Sequence, residues 1–198
     1  MQGEAYEMIN ITTMVQEKFL FLNKFIKSPK DVGSITPSSK YLARAMTRSI
    51  PWDGVEAAAE LGAGTGAITE YIQNAAGEHT RTLLFEKDTV LRNQLQEKYP
   101  TMACYSDACQ IRKAMSEEGI GHLDLILSGL PFFNFPQAIR DAIMNEILLS
   151  LKPGGRFVAF QYSLQMKQQL NQYFDIESIQ FVPLNLPPAF VYICSKRG

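Results

Sequence analysis

Three glycines follow an acidic residue in the string Glu60-Leu61-Gly62-Ala63-Gly64-Thr65-Gly66. Because glycine has no Cβ atom, it lets a backbone turn tightly and approach a ligand closely. In open α/β sheets such turns bind ligands where a strand passes into a helix. The string therefore predicts a nucleotide site, although tight strand-to-helix turns also use glycine for steric reasons alone.

The spacing of this site admits two classes of ligand. The glycines also satisfy GxGxxA, a form of the dinucleotide fingerprint, and Glu86 lies 20 residues beyond Gly66, where a carboxylate can bind both ribose hydroxyls. Glu60 separates the two classes, because a carboxylate just before the glycines repels a pyrophosphate. It suits a phosphate-free nucleoside that carries a cationic amino group.

Alternating strands and helices from residue 55 onward position these side chains. The predicted strands are 56–61, 80–86, 101–105, 122–128, 155–161, 175–182 and 189–195. The predicted helices are 65–76, 88–98, 108–118, 136–151 and 163–173. This order is typical of an α/β fold with an open parallel sheet covered on both faces. Only residues 183–188 join the last two strands, which is too few for a crossover helix, so these strands are expected to pair antiparallel.

Residues 1–54 are predicted to form an amino-terminal helical segment, and residues 55–198 the main domain. An apolar stripe with lysines on its flanks predicts a helix at 14–27. A Ser/Thr-rich cap at 36–39 predicts a second helix that runs to the turn at Pro51. The first helix fits a membrane contact, a lid over the ligand, or packing on its own domain.

The composition is that of a folded protein expected in the cytoplasm. Hydrophobic residues make up 46% and charged residues 20% of the chain, and neither a membrane-spanning run nor a signal peptide is visible. The net charge of −1 argues against a general polyanion binder. Residues 18–48, however, hold seven basic side chains and one acidic one. This segment is expected to face an anionic partner, with a solvated basic surface as the alternative.

Over residues 55–195 the sequence resembles the class I S-adenosylmethionine-dependent methyltransferases, which have a Rossmann-like seven-stranded sheet with an antiparallel last strand. The resemblance implies S-adenosyl-L-methionine as cofactor. It assigns Glu86, with Lys87, to the ribose hydroxyls, and Asp107, with Ala108, to the adenine amine; a plain helix cap is the alternative for Asp107. The residues it places against the rest of the cofactor are Glu60, Gly62, Ala63, Gly64, Gly66 and Ser128.

The turn after the fourth strand is similar to the acceptor motif of amine methyltransferases. Ser128 is followed by Gly129-Leu130-Pro131-Phe132, where a hydroxyl and backbone carbonyls can hold an amine lone pair toward the methyl group. Nucleic-acid adenine methylases usually have Asn at position 128. With the strings FIKSP at 25–29 and VGSITPSS at 32–39, this turn resembles the bacterial phospholipid N-methyltransferases, which act on phosphatidylethanolamine.

The resemblance implies methylation of a phospholipid amine at an anionic membrane surface, on the inner face of the membrane. Catalysis by placement is expected, with Ser128, Leu130 and Pro131 lining the acceptor and the rings of Phe132 and Tyr41 facing a cationic product, unless these rings belong to the core. No metal is expected. An rRNA adenine dimethyltransferase and a cofactor-binding module without turnover are the alternatives.

Overall fold

A seven-stranded mixed sheet forms the centre of the computed structural model, which describes residues 38–198. Its strands are β1 (Ala57–Leu61), β2 (Arg81–Phe85), β3 (Ala103–Tyr105), β4 (Leu123–Ser128), β5 (Leu151–Gln161), β6 (Phe174–Val182) and β7 (Ala189–Lys196). The helices are α1 (Lys40–Thr47), α2 (Thr69–Ala75), α3 (Thr89–Lys98), α4 (Ile111–Glu117), α5 (Gln137–Ser150) and α6 (Met166–Tyr173). The helix predicted at 14–27 and most of the basic segment 18–48 lie outside the described residues.

The strand order places the expected site residues at one edge of the sheet. The order is β3-β2-β1-β4-β5-β7-β6, with β1 to β5 parallel and β7 antiparallel to both β5 and β6. The expected antiparallel hairpin is confirmed. In the register of β1 and β4, Leu61 pairs with Ser128, so the glycine string and the Leu-Pro-aromatic turn leave neighbouring strands at the same carboxyl edge.

Helices cover both faces of the sheet, as the alternation predicted. Leu42, Ala43 and Met46 of α1 are fully buried, in one cluster with residues of α2 and of the central strands. Side chains of α4, α5 and α6 pack on the opposite face. Because α1 packs in the same core as the sheet, the predicted boundary at residue 54 does not place α1 in a domain of its own. Ser39 caps α1 by accepting a hydrogen bond from the backbone N–H of Leu42.

Several predicted boundaries are wrong for local physical reasons. The helix expected from residue 65 begins only at Thr69, because the preceding glycines have left-handed backbone angles that a right-handed helix excludes. The helix expected at 108–118 is a 3₁₀ turn followed by α4. The fifth strand, expected from residue 155, begins at Leu151, and its residues 152–155 form a bulge opposite Asp124.

This bulge ties the amino edge of the sheet together. Asp124 accepts hydrogen bonds from the backbone N–H groups of Glu56 and Ala57, at 2.8 and 2.9 Å, and pairs with Lys152. Burial alone would raise the pKa of Asp124, but the contacts with Lys152, Ala57 and Glu56 bring it below its usual value. The Lys-Pro-Gly-Gly string at 152–155 therefore has a structural role.

Candidate cofactor and acceptor site

The glycine string forms an open turn at the carboxyl end of β1. Gly62, Gly64 and Gly66 have φ angles of +76°, +57° and +83°, which L-residues with side chains rarely adopt. The backbone N–H groups of Gly62 and Ala63 both donate to the carbonyl of Phe85, at 2.8 and 3.1 Å. The turn is thus anchored to the end of β2, while a Cβ atom on Gly64 would meet no atom within 4 Å.

Glu86, which directly follows β2, holds the glycine turn in place through its carboxylate. Its Oε2 accepts a hydrogen bond from the backbone N–H of Gly64 at 2.8 Å, and its Oε1 accepts one from Asp88 at 2.8 Å. Each carboxylate oxygen has a further lone pair. The half-buried side chain therefore combines a structural contact with free acceptor capacity, and its exposed neighbour Lys87 lies at the same strand end.

Glu60 is the most perturbed carboxyl group among residues 38–198. It is fully buried and lies in register with Leu84 and Leu127, both also fully buried. Burial raises the pKa of Glu60 to about 8, against a hydrogen bond from Thr69, and the charge of Glu86 adds to the increase. The Thr69 hydroxyl donates to Oε2 at 2.6 Å.

Whether the site fits the expected cofactor can be judged from Oε1, the second carboxyl oxygen of Glu60. Oε1 is buried and has no hydrogen-bond partner among the described residues. A buried polar atom without a partner is costly, so the site is incomplete without a ligand that supplies one. The amino group of S-adenosylmethionine is a donor of the required charge. The acidic residue, the open glycine turn and Glu86 therefore fit this cofactor.

Asp107 and Ala108 lie beyond β3, at the same edge. Asp107 caps the 3₁₀ turn 108–110, since its Oδ1 accepts a hydrogen bond from the N–H of Cys109 at 2.8 Å and its Oδ2 one from the side chain of Gln110 at 3.1 Å. The capping alternative is thus confirmed. The carboxylate is exposed, and its expected contact with adenine stays a prediction.

The turn after β4 packs directly on the glycine turn. Ser128 is fully buried, and its hydroxyl accepts a hydrogen bond from the N–H of Leu130 at 3.3 Å. Gly129 donates to the carbonyl of Leu61 at 2.8 Å. A Cβ atom on Gly62 would lie 2.8 Å from Cδ2 of Leu130. The two turns thus form one continuous site, with Pro131 leading into a 3₁₀ turn at 132–134.

The expected role of the Phe132 ring needs correction, whereas that of Tyr41 stays a prediction. Phe132 is 1% exposed and belongs to the core beneath α5, so its ring does not face an open site; the core alternative applies to it. Phe133 is 37% exposed, with the Arg140 guanidinium 5.5 Å from its ring centre. Tyr41 is 44% exposed on α1, and the Lys40 ammonium lies 5.4 Å from the centre of its ring.

Sequence reasoning missed two residues of this site. Thr69 follows Glu60 by nine positions and carries the only hydroxyl described as bonded to that carboxyl group among residues 38–198; its place in the helix expected directly after the glycine string was the available signal. Gln161 ends β5, is 6% exposed, and donates to the carbonyl of Leu130 at 3.0 Å. Nothing in the local sequence pairs it with that turn.

We expect Glu86→Ala to weaken cofactor binding while the protein stays folded. The change removes an acceptor for the ribose hydroxyls and frees the N–H of Gly64, and hydrogen bonds to a charged group contribute about 1.5–3 kcal/mol each. Calorimetric titration with S-adenosylmethionine should show a Kd about 10- to 100-fold higher. As a control, Asp88→Ala removes the neighbouring cap of α3 and should lower thermal stability alone. Unchanged affinity in Glu86→Ala contradicts the ribose assignment.

Solved structures with similar folds are methyltransferases. The N-methyltransferase NodS from Bradyrhizobium japonicum WM9, in complex with S-adenosyl-L-homocysteine, matches with a TM-score of 0.64 and 12% identity over 78% of this chain and 83% of its own. TrmN from Thermus thermophilus matches with a TM-score of 0.62 and 18% identity over 85% of this chain and 52% of its own. These likenesses show that the chain has the fold of these methyltransferases.

A comparison of sequences shows the family to which the chain belongs. No family model matches the chain. The ornithine lipid N-methyltransferase of Singulisphaera acidiphila is 32% identical over 185 residues, which cover 91% of this chain and 96% of that protein. The chain therefore belongs to the S-adenosylmethionine-dependent methyltransferases of the lipid N-methyltransferase type.

Proposed function

We propose that the protein N-methylates the free amine of an amino lipid. The observation that carries this proposal is the packing of the acceptor turn on the glycine turn, with the Gly129 N–H on the carbonyl of Leu61 and Leu130 against Gly62. An amine held at the Ser128–Pro131 turn lies next to whatever the glycine turn binds. The similarity to a lipid N-methyltransferase over nearly the whole chain supports a lipid as the carrier of that amine.

Placement of the amine is the main catalytic task of these residues. S-adenosylmethionine supplies, when bound, a methyl group on a sulfonium that needs no further activation. The Ser128 hydroxyl and the carbonyl of Leu130 are the acceptors that orient the amine N–H bonds, so that the lone pair faces the methyl carbon. Gln161 occupies one lone pair of the Leu130 carbonyl and leaves the other for the amine.

The chain's histidines do not supply a general base at this site. His79 precedes β2 and His122 precedes β4, so both lie at the amino edge of the sheet, away from the turn at Ser128. An amine that arrives protonated therefore gives its proton to water before it reacts. The lack of a histidine at this turn is consistent with a reaction governed by alignment and exclusion of water.

Two lipid amines are the first candidates for the acceptor. Ornithine lipid is the substrate named for the relative, and phosphatidylethanolamine is the substrate implied by the Ser-Gly-Leu-Pro string. Both present an amine beside a negatively charged group at the membrane surface. We take ornithine lipid as the leading acceptor, because the similarity to the relative extends over far more residues than the short strings do.

The test is transfer of label from methyl-labelled S-adenosylmethionine to vesicles that contain ornithine lipid, to vesicles that contain phosphatidylethanolamine, and to ribosomal RNA. Label in a lipid amine is the expected result, and the lipid that takes it up identifies the acceptor. Glu86→Ala, at a cofactor concentration below the wild-type Kd, is the control that should lower the label. Label in the RNA alone, or in none of the three, overturns the proposal.

A further inference from the structure

The loop between β6 and β7 exposes apolar side chains at the edge of the sheet that carries the site. Leu184 is 63% exposed and Phe181 is 56% exposed, and no side chain from 181 to 188 is charged. We call residues 181–188 the apolar rim. Connecting loops usually turn polar side chains toward water, so this rim is unusual for a solvent-facing loop.

The polar residue of the rim faces the protein instead. Asn185 is 4% exposed; its Oδ1 accepts a hydrogen bond from the N–H of Ser39 at 3.1 Å, and its Nδ2 donates to the carbonyl of Pro187 at 2.8 Å. These bonds fix the loop to the start of α1. Leu184, beside Asn185, is thereby held outward on a supported backbone.

The rim is continuous with the acceptor turn. Gln161 pairs with Phe190 at the start of β7, and the same Gln161 side chain bonds the carbonyl of Leu130. The ring of Phe190 packs against that of Phe181, with ring centres 5.1 Å apart and an angle of 36° between the ring planes. Leu164, which follows the end of β5, adds a 48% exposed side chain at this edge. One strand end thus separates the rim from the groups that would hold the amine.

Basic side chains lie next to the rim. Lys40 and Arg44 are exposed on α1, which begins at the bond between Ser39 and Asn185. Residues 38–52 contain no acidic residue, and neither of these two cations forms a salt bridge within the described part of the chain. Apolar side chains beside cations are the combination that anionic bilayer surfaces bind.

We propose that the apolar rim enters the interface of an anionic bilayer and brings the acceptor turn to the lipid amine. This inference rests on the proposed function, since it assumes a substrate that resides in a membrane. No helix of residues 38–198 is long and apolar enough to cross a bilayer. The partner is the membrane surface itself, which explains both the outward Leu184 and the two cations that form no salt bridge with residues 38–198.

The test is sedimentation of the full chain with vesicles of equal parts phosphatidylcholine and phosphatidylglycerol. We expect Leu184→Asp to lower the bound fraction at least about tenfold, because it places a negative charge in the apolar part of the contact. Leu164→Asp changes a different loop and should act in the same direction. Leu149→Asp is the matched control, since Leu149 is 51% exposed in the last turn of α5, just before β5 begins at the opposite edge; this variant should bind as the wild type does.

Two further readouts separate the inference from the function on which it rests. Methylation of a short-chain amino lipid below its micelle concentration should persist in Leu184→Asp, while methylation in vesicles falls. Wild-type binding by both rim variants overturns the inference, and so does a changed oligomeric state in light scattering with vesicle binding intact, which would make the rim a contact between copies. No methylation of any lipid by the wild type contradicts the proposed function instead.

Discussion

Gly62→Ala is expected to lower the melting temperature by about 4–20 °C and to weaken cofactor binding. A side chain at φ +76° costs about 1–2 kcal/mol. The added Cβ would also lie 2.8 Å from Cδ2 of Leu130, and overpacking of this kind costs about 1–3 kcal/mol more. For a chain of this size each kcal/mol lowers the melting temperature by about 2–4 °C. Thermal unfolding and calorimetric titration measure the two effects.

Gly119→Ala separates strain from overpacking. Gly119 has a φ of +64°, and a Cβ atom there would meet nothing within 4 Å. Gly119→Ala should lower the free energy of unfolding only by the cost of the left-handed backbone, about 1–2 kcal/mol. Cofactor affinity should stay unchanged, because Gly119 follows α4 at the other edge of the sheet. Equal losses in the two variants would show that the contact with Leu130 does not contribute.

A double-mutant cycle tests the contact between the two turns directly. Leu130→Ala removes the atom that the new Cβ would strike, so Gly62→Ala should be less destabilising in that background than alone. The coupling energy isolates the pair from the separate costs of each change. Additive effects would mean that the acceptor turn moves away freely, and would weaken the argument that both turns form one site.

The placement of the site at one sheet edge could be predicted because it depends on strand order and direction. Once β1 and β4 are known to be parallel neighbours, Ser128 and Gly62 must leave the sheet side by side. What could not be predicted depends on side-chain direction. Phe132 follows Pro131 in a 3₁₀ turn and its ring enters the core, whereas its neighbour Phe133 stays exposed; the sequence alone offers two adjacent phenylalanines.

Contacts between distant residues were equally beyond local reasoning. Gln161 reaches the carbonyl of Leu130 across 31 positions, and Ser39 reaches Asn185 across 146. Neither bond follows from a periodic pattern, because the first depends on which strands are neighbours in the folded sheet and the second on how α1 packs against that sheet. Such bonds decide which loops are rigid, and therefore which groups at the edge are held in place for chemistry.

The raised pKa of Glu60 makes the stability of the folded protein decrease as the pH rises. Burial raises its pKa from an ordinary 4.5 to about 8, against the bond from Thr69. Between these values the folded protein without ligand binds a proton that the unfolded chain does not. The contribution of Glu60 to the free energy of unfolding is therefore greatest below pH 4.5 and falls as the pH rises to about 8. Glu60→Gln should remove this dependence, which denaturant titrations from pH 5 to 8 would reveal.

The same carboxyl group should make cofactor affinity depend on pH in the opposite direction. An amino group keeps its charge up to its own pKa of about 7.7–8.0 and favours ionised Glu60, so binding below pH 8 requires Glu60 to lose its proton. The wild-type Kd should therefore fall as the pH rises from 6 to 7.5, by at most about tenfold per unit. In Glu60→Gln the Kd should be higher and nearly constant.

Thr69→Val provides a matched variant of nearly equal shape. It removes the hydroxyl that stabilises ionised Glu60, so the pKa of the carboxyl group should rise further and the decrease in Kd should shift to higher pH. Calorimetry in buffers of different ionisation enthalpy should also detect the proton released on binding at pH 7, and detect none in Glu60→Gln. A wild-type Kd that does not change between pH 6 and 7.5 would mean that Glu60 does not face the cationic group of the ligand.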